Sequence, residues 1–205
     1  MEKFTVLKGV AAPLMLANVD TDCIIPMARL TRFGRGELGP WAFESLRYLP
    51  DGSENPQFIL NQAHWRGTRI LLAADNFGCG SSRETAVWAL WELGLRCVIA
   101  PSFGDIFYGN CFQNGMLPLR LPAAEVEALA AESRQGATEV SIDLEAQQIV
   151  TAAGRTIHFD IDPGRREALL QGLDAICLTL RYAAEIDAFQ ARARVRRPWL
   201  YRQPR

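Results

Sequence analysis

The stretch Asp75-Asn76-Phe77-Gly78-Cys79-Gly80-Ser81-Ser82-Arg83-Glu84 constrains the fold more than any other part of the chain. It follows the apolar run Arg69-Ile70-Leu71-Leu72-Ala73-Ala74, which reads as a buried strand, and precedes Thr85-Ala86-Val87-Trp88-Ala89-Leu90-Trp91, which reads as a buried helix. A strand is therefore turned through a glycine-rich loop into a helix start. Gly78 and Gly80 let the backbone bend tightly and come close to a ligand. A helix start offers unpaired N–H groups and the positive end of the dipole, so such a loop suits an anion. Ser81, Ser82 and Arg83 add two hydroxyls and a guanidinium, which can receive a carboxylate beside a reactive group. The same residues also fit a capping box, with Ser81 as N-cap and Glu84 at N3, and the two readings are compatible. Position excludes three familiar motifs. Arg83 stands where a dinucleotide fingerprint needs glycine, no Gly-Lys-Ser/Thr ends the loop, and Glu84 occupies the final glycine position of a nucleophile elbow.

A second unit repeats the first. Gly94 is placed to end the helix, Arg96-Cys97-Val98-Ile99-Ala100-Pro101 reads as another buried strand, and Ser102-Phe103-Gly104-Asp105 carries a capping pattern before a helix from Ile106 to Asn114. Two successive strand–helix units predict parallel pairing with right-handed crossovers. Leu117 to Leu121 adds a strand, and Ala123 to Arg134 an Ala/Glu-rich helix. The texture then changes to clean alternation over residues 138–144, 148–152 and 156–161, which predicts a small antiparallel meander. His158 falls out of phase with Ile157 and Phe159 and should face solvent. Helices over 163–172 and about 174–194 follow, with Pro163 at a first helical position and Gly172 between them.

Upstream, residues 4–10 read as an opening strand, and Asn18-Val19-Asp20-Thr21-Asp22-Cys23-Ile24-Ile25-Pro26 as an Asx-type turn leading into a strand, or as a site carboxylate. Residues 28–48 hold Arg29, Arg32, Arg35 and Arg47 among glycines without clear periodicity, a surface or functional loop whose arginines could clamp carboxylates. Residues 50–67 read as connection, with His64 in its last turn.

Composition narrows the function. The chain has 205 residues, 49% of them apolar, and a formal charge of −1, which suits a globular domain with an ample core. No apolar run of about 18 residues and no signal pattern occurs, so the expectation is a soluble, cytoplasmic protein with no membrane role. Five scattered cysteines and two histidines suggest no disulfide framework, no metal site and no histidine-based triad. Six of the 22 basic residues and none of the acids lie in residues 191–205, so a basic tail follows an acidic domain over residues 1–190. An acidic body of this kind argues against nucleic-acid binding.

In colinear order, Phe4-Thr5-Val6-Leu7, Asn18 to Pro26, Gly78-Cys79-Gly80-Ser81-Ser82-Arg83-Glu84, Ala100 to Asn110, Asn114-Gly115 and Gly172-Leu173-Asp174-Ala175-Ile176 resemble the small subunits of 3-isopropylmalate dehydratase, in the aconitase family. The resemblance implies an α/β fold, the layered β/β/α swivelling domain of the aconitase type, with a mixed sheet and a small antiparallel meander. It implies a large-subunit partner that carries a [4Fe–4S] cluster, with no cofactor on this chain, and a small dicarboxylate substrate. The implied reaction exchanges 2-isopropylmalate and 3-isopropylmalate through 2-isopropylmaleate, in leucine biosynthesis. By the same resemblance Ser81 is the general base, Arg83 with Ser82 binds a substrate carboxylate, Asp22 is an acid near the site, and Arg32 or Arg35 is a second clamp. Two departures stand out: Thr85 and Val87 replace the family's histidine and proline, and residues 31–39 differ from its usual loop. The second leaves open a relative acting on citraconate or another 2-alkylmalate, and a non-catalytic paralogue is the further alternative.

Overall fold

Four apolar strands build the molecule's centre in the computed structural model, which describes residues 1–136 and 139–201. Strand β1 (Val6–Leu14) lies beside β2 (Ile70–Ala73), β3 (Cys97–Ala100) and β4 (Leu117–Arg120), all parallel. On its other edge β1 pairs antiparallel with β5 (Glu139–Asp143), followed by β6 (Gln148–Val150) and β7 (Thr156–His158). The result is one mixed sheet in the order β4-β3-β2-β1-β5-β6-β7. The expected parallel units and the meander are both present. Thr138, expected at the head of the meander, lies outside the described residues.

Successive side chains point to opposite faces of a strand, so β1, β2 and β3 each feed two cores. Leu71, Ala73, Val98 and Ala100 join Phe43, Phe77, Leu90 and Phe107 on one face. Ile70, Leu72, Cys97 and Ile99 join Leu117, Val126, Leu129 and Ile142 on the other. Prolines fall where the ladder can spare a donor. Pro118 is on edge strand β4, and Pro13 lies beyond the β1–β5 register, which ends at Val10.

The helices, in chain order, are α1 (Thr21–Ile24), α2 (Met27–Leu30), α3 (Glu44–Arg47), α4 (Thr85–Leu93), α5 (Asp105–Gln113), α6 (Ala123–Arg134), α7 (Pro163–Gln171), α8 (Ala175–Leu180) and α9 (Ala183–Arg196). Gly94 and Gly172 close α4 and α7 in left-handed conformations, at φ +110° and +70°. Pro163 occupies the first turn of α7, as expected. His158 is exposed, and His64 sits edge-on to Trp65 at 4.7 Å.

Four local expectations fail. Asp20 to Ile25 does not lead into a strand: the Asp20 carboxylate accepts the Cys23 N–H at 2.7 Å and caps the short helix α1 instead. The Ser81 capping box does not form, because α4 begins at Thr85 with Glu84 at its N-cap and no side-chain cap. The Ser81 N–H and the Arg83 side chain are both drawn to Thr21, which keeps the preceding segment out of the helix. Ser102 does not cap α5 either; its hydroxyl accepts the Asn76 N–H and donates to Asp75. The single helix expected over 174–194 is broken at Arg181–Tyr182 into α8 and α9.

The loops after β2 and β3 are locked together by glycines. A Cβ on Gly78, at φ +74°, would lie 2.2 Å from the Phe107 ring, and one on Gly104 would lie 2.6 Å from the Gly78 carbonyl. Phe107 also packs edge-on to Phe77 at 5.5 Å and stacks on Phe103. Gly78→Ala should therefore lower the unfolding free energy by about 3 kcal/mol or more, through strain at positive φ and overpacking. Urea denaturation tests this; a loss below about 1 kcal/mol would show that the Phe107 ring can move aside.

Candidate active site

Three loops meet at the carboxyl ends of β1, β2 and β3, where open α/β sheets place their ligands. Backbone bonds fasten the first two: Asn18 N–H to Asp75 O at 2.9 Å, Gly78 N–H to Val19 O at 2.7 Å, and Thr21 N–H to Cys79 O at 3.0 Å. The Phe77 N–H to Ser102 O bond at 3.1 Å and the Gly104 N–H to Phe77 O bond at 2.9 Å fasten the third. Asn76 donates to the Asn18 side chain at 2.8 Å. This pairing carries Ser81, Ser82 and Arg83 on a frame that is held from both sides.

Thr21 is the hub that sequence reasoning missed. It is 1% exposed, and its hydroxyl accepts both the Ser81 N–H at 3.2 Å and the Arg83 Nη2 at 3.1 Å. Flanked by Asp20 and Asp22, it is the least conspicuous residue of its tripeptide. Its pairing with the distant loop is visible only in three dimensions. Asp22 completes the group with an ion pair to Arg83 Nη2 at 2.7 Å. The Arg83 side chain is only 11% exposed, and its Nε and Nη1 are buried without a hydrogen-bond partner. Unpaired buried donors on a cation are costly and uncommon. The hydrogen bond from Arg83, aided by its charge, holds the Asp22 carboxyl below its usual range.

Ser81 and Ser82 are exposed, so the site is an open surface rather than an enclosed cavity. Gly80, at φ +92°, turns the chain into Ser81. With α4 starting at Thr85, the positive end of its dipole falls at Glu84 to Ala86, a few residues beyond Ser81. Thr85, in place of the family's histidine, has a buried hydroxyl without a partner, while Val87 is fully buried in the core.

Of the four arginines in residues 28–48, two are structural. Arg29 pairs with Glu44 and lies 3.8 Å over the Trp41 ring; Arg47 reaches the Gly39 and Pro40 carbonyls at 3.4 and 3.5 Å. Arg32 is exposed on its loop. Arg35 sits over Trp88 at 5.0 Å and reaches Asn114 Oδ1 at 3.5 Å, the limit of a hydrogen bond. Asn114 also accepts from the Trp88 indole at 3.0 Å and donates to Glu84 at 2.7 Å, so Arg35 is joined through one side chain to the residue after Arg83. The structure thus brings Asp22, Ser81 and Arg83 together around Thr21, sets Arg35 on the adjoining face, and leaves Arg32 outside both groups.

Among the described residues no group of three or more His, Cys, Asp or Glu could hold a metal ion. Burial pushes the Cys97 and Cys111 thiols well above their usual range, which disfavours the thiolates a cluster needs. No helix among the described residues is long and apolar enough to cross a membrane.

Sheet order and loop placement together define an aconitase-type domain, and the aconitase C-terminal domain family matches residues 1–124. A family described as LeuD_N matches residues 127–163, and one described as the C-terminal domain of the 3-isopropylmalate dehydratase small subunit matches residues 176–203. The small subunit of 3-isopropylmalate dehydratase from Rhodospirillum centenum is 56% identical, over 97% of this chain and 98% of its own. That of Rhodopseudomonas palustris strain BisA53 is 53% identical, over 97% of this chain and all of its own. The crystal structure of 3-isopropylmalate dehydratase from Methanocaldococcus jannaschii superposes with a TM-score of 0.64 at 28% identity, covering 91% of this chain and 98% of that one. The chain belongs to the small-subunit family of 3-isopropylmalate dehydratase.

The Asp22–Arg83 pair yields a pH prediction. A carboxylate whose folded pKa is depressed contributes stability above its unfolded value and loses it as pH falls through the folded value. Asp22→Asn should therefore be slightly less stable than the wild type near pH 7, by no more than about 1 kcal/mol because Asp22 is largely exposed. The two should converge once pH falls below the ordinary aspartate value of 3.8 and on through the lower folded value. Urea denaturation of both proteins across that range is the check, and a gap that persists in acid would deny the pair its role.

Proposed function

We propose that this chain is the small subunit of an isopropylmalate isomerase, which interconverts 2-isopropylmalate and 3-isopropylmalate by dehydration and rehydration through 2-isopropylmaleate. In this reading it is a cytoplasmic enzyme subunit of leucine biosynthesis, active only with a large subunit that holds a [4Fe–4S] cluster. The observation that carries the site assignment is the Arg83 guanidinium. It is nearly buried, tied by one nitrogen to Asp22 and Thr21, and has two further nitrogens without an acceptor. A substrate carboxylate arriving beside Ser81 supplies one, and a charge-assisted bond there is both strong and orienting.

Ser81 is the general base of this proposal: its oxygen takes the proton from the substrate carbon and returns it in the hydration step. A serine hydroxyl does this only if its alkoxide is stabilised, and here the Arg83 charge, neighbouring backbone N–H groups and the nearby start of α4 favour the anion. Ser82 adds a donor beside the bound carboxylate. Asp22 and Thr21 hold the Arg83 side chain in place, and of the two candidate clamps, Arg32 or Arg35, it is Arg35, set on the adjoining face, that meets the substrate's second carboxylate. Membership of a small-subunit family supports a large subunit as the source of the Lewis-acid half of the chemistry. The exposure of Ser81 and Ser82 supports the same division, since a closed, dry site requires a second wall. Residues 1–190 are the domain that closes over the large subunit, and residues 191–205 its basic tail; α9 runs unbroken across that boundary.

Anaerobic reconstitution with the large subunit, followed by loss of 2-isopropylmaleate absorbance, tests the reading. Ser81→Ala should lower kcat by about a thousandfold or more while the complex still forms by size-exclusion chromatography. A loss of less than about tenfold would remove Ser81 from the role of base. Arg83→Lys should raise KM as well as lower kcat, because a point charge replaces a fork. Turnover by the isolated chain without its partner would contradict the two-subunit division.

A further inference from the structure

We infer that Glu92 is a positioning residue that fixes the arginine-bearing loop against the helix descending from the Ser81 loop; this rests on reading residues 31–39 as substrate-facing. Glu92 lies in the last turn of α4, where the negative end of the helix dipole disfavours a carboxylate. Three backbone amides from one loop compensate it. Gly36 N–H donates to Oε1 at 2.7 Å, and Leu38 and Gly39 N–H donate to Oε2 at 2.5 and 3.0 Å. A carboxylate that gathers three amides is an acceptor-only group used close to its capacity, and it sets the loop's path.

The glycines of the loop fit that arrangement. Gly39 comes so close that a Cβ would lie 2.8 Å from the Glu92 carbonyl, and Gly36 adopts φ +98° to aim its N–H. On the other side of Arg35, the Gly34 N–H donates to the Glu37 carboxylate at 3.0 Å. Arg35 is therefore carried between two anchored glycines and laid over Trp88, a residue of α4 itself. One helix of nine residues, about 14 Å long at about 1.5 Å per residue, leaves the Ser81–Arg83 loop at its start and holds the arginine loop at its end. The spacing between the base and the outer carboxylate clamp is set by α4, with Glu92 as the fastener.

The test uses the reconstituted two-subunit enzyme with Glu92→Ala, the isosteric Glu92→Gln in case the first folds poorly, and Arg35→Ala and Arg32→Ala in parallel. Hydrogen exchange of residues 34–40 should quicken by about tenfold or more in the Glu92 variants. KM for 2-isopropylmaleate should rise about tenfold with kcat within about threefold, and the preference for isopropyl- over methyl-substituted maleate should narrow. Unchanged exchange in both Glu92 variants overturns the anchoring. Quickened exchange with unchanged KM and preference, or a fall in kcat alone, overturns the positioning role. In that event the arginine variants separate the causes: if they raise KM, the Glu92 inference alone has failed, and if they too are silent, the substrate-facing reading of the loop has failed with it.

Discussion

Everything at the active end depends on one close approach, the backbone of Gly104 against the Gly78 carbonyl with the Phe107 ring under Gly78. No other residue type fits either place without displacing backbone or a buried ring. That contact fixes the loop after β2 relative to the loop after β3, and the bonds from Asn18, Gly78 and Thr21 then bring in the loop after β1. Strands β2 and β3 are short, four residues each, so the sheet alone defines little of their loops' geometry. The precision of these loops comes from interlocked backbone, and a frame of this kind is how a loop-borne site becomes rigid.

Within that frame the site is divided by charge. Asp22 and Thr21 occupy one nitrogen of Arg83, which leaves the guanidinium fixed in direction and short of acceptors. The cation is thereby held ready while its partners are kept to one side. Its neighbour Ser81 stands open to solvent, and the proposed base would need another surface to cover it. On the proposed roles, that exposure fits a subunit that closes onto a partner.

The strand–loop–helix units, the parallel pairing, the antiparallel meander and the glycine stops were legible because each follows from period, turn chemistry or φ > 0, all of which are local. The misreadings have a common cause. Ser81, Ser102 and the segment Asp20–Ile25 are read in sequence by their nearest neighbours, and in each case a partner far along the chain competes for the same group. Thr21 claims the Ser81 N–H across 60 residues, Ser102 serves the loop of Asp75 and Asn76, and Asp20 turns back on Cys23 once its backbone has been bridged to Cys79. Propensity is a weak prior when a long-range hydrogen bond is available.

The sequence by itself determined that two apolar strands feed two helix-bound loops and that one of these loops carries serines beside an arginine. It also carried the resemblance through motifs in order. Only the tertiary structure separated the arginines spent within their own loop from the others: Arg29 and Arg47 go to Glu44, Trp41 and loop carbonyls, whereas Arg35 packs over Trp88 of α4. It alone revealed Thr21 as the hub and Glu92 as the fastener. The reason is physical. Periodicity and turn chemistry depend on residues a few positions apart, whereas the direction of a polar side chain is set by whichever donor or acceptor the folded chain brings within about 3 Å of it.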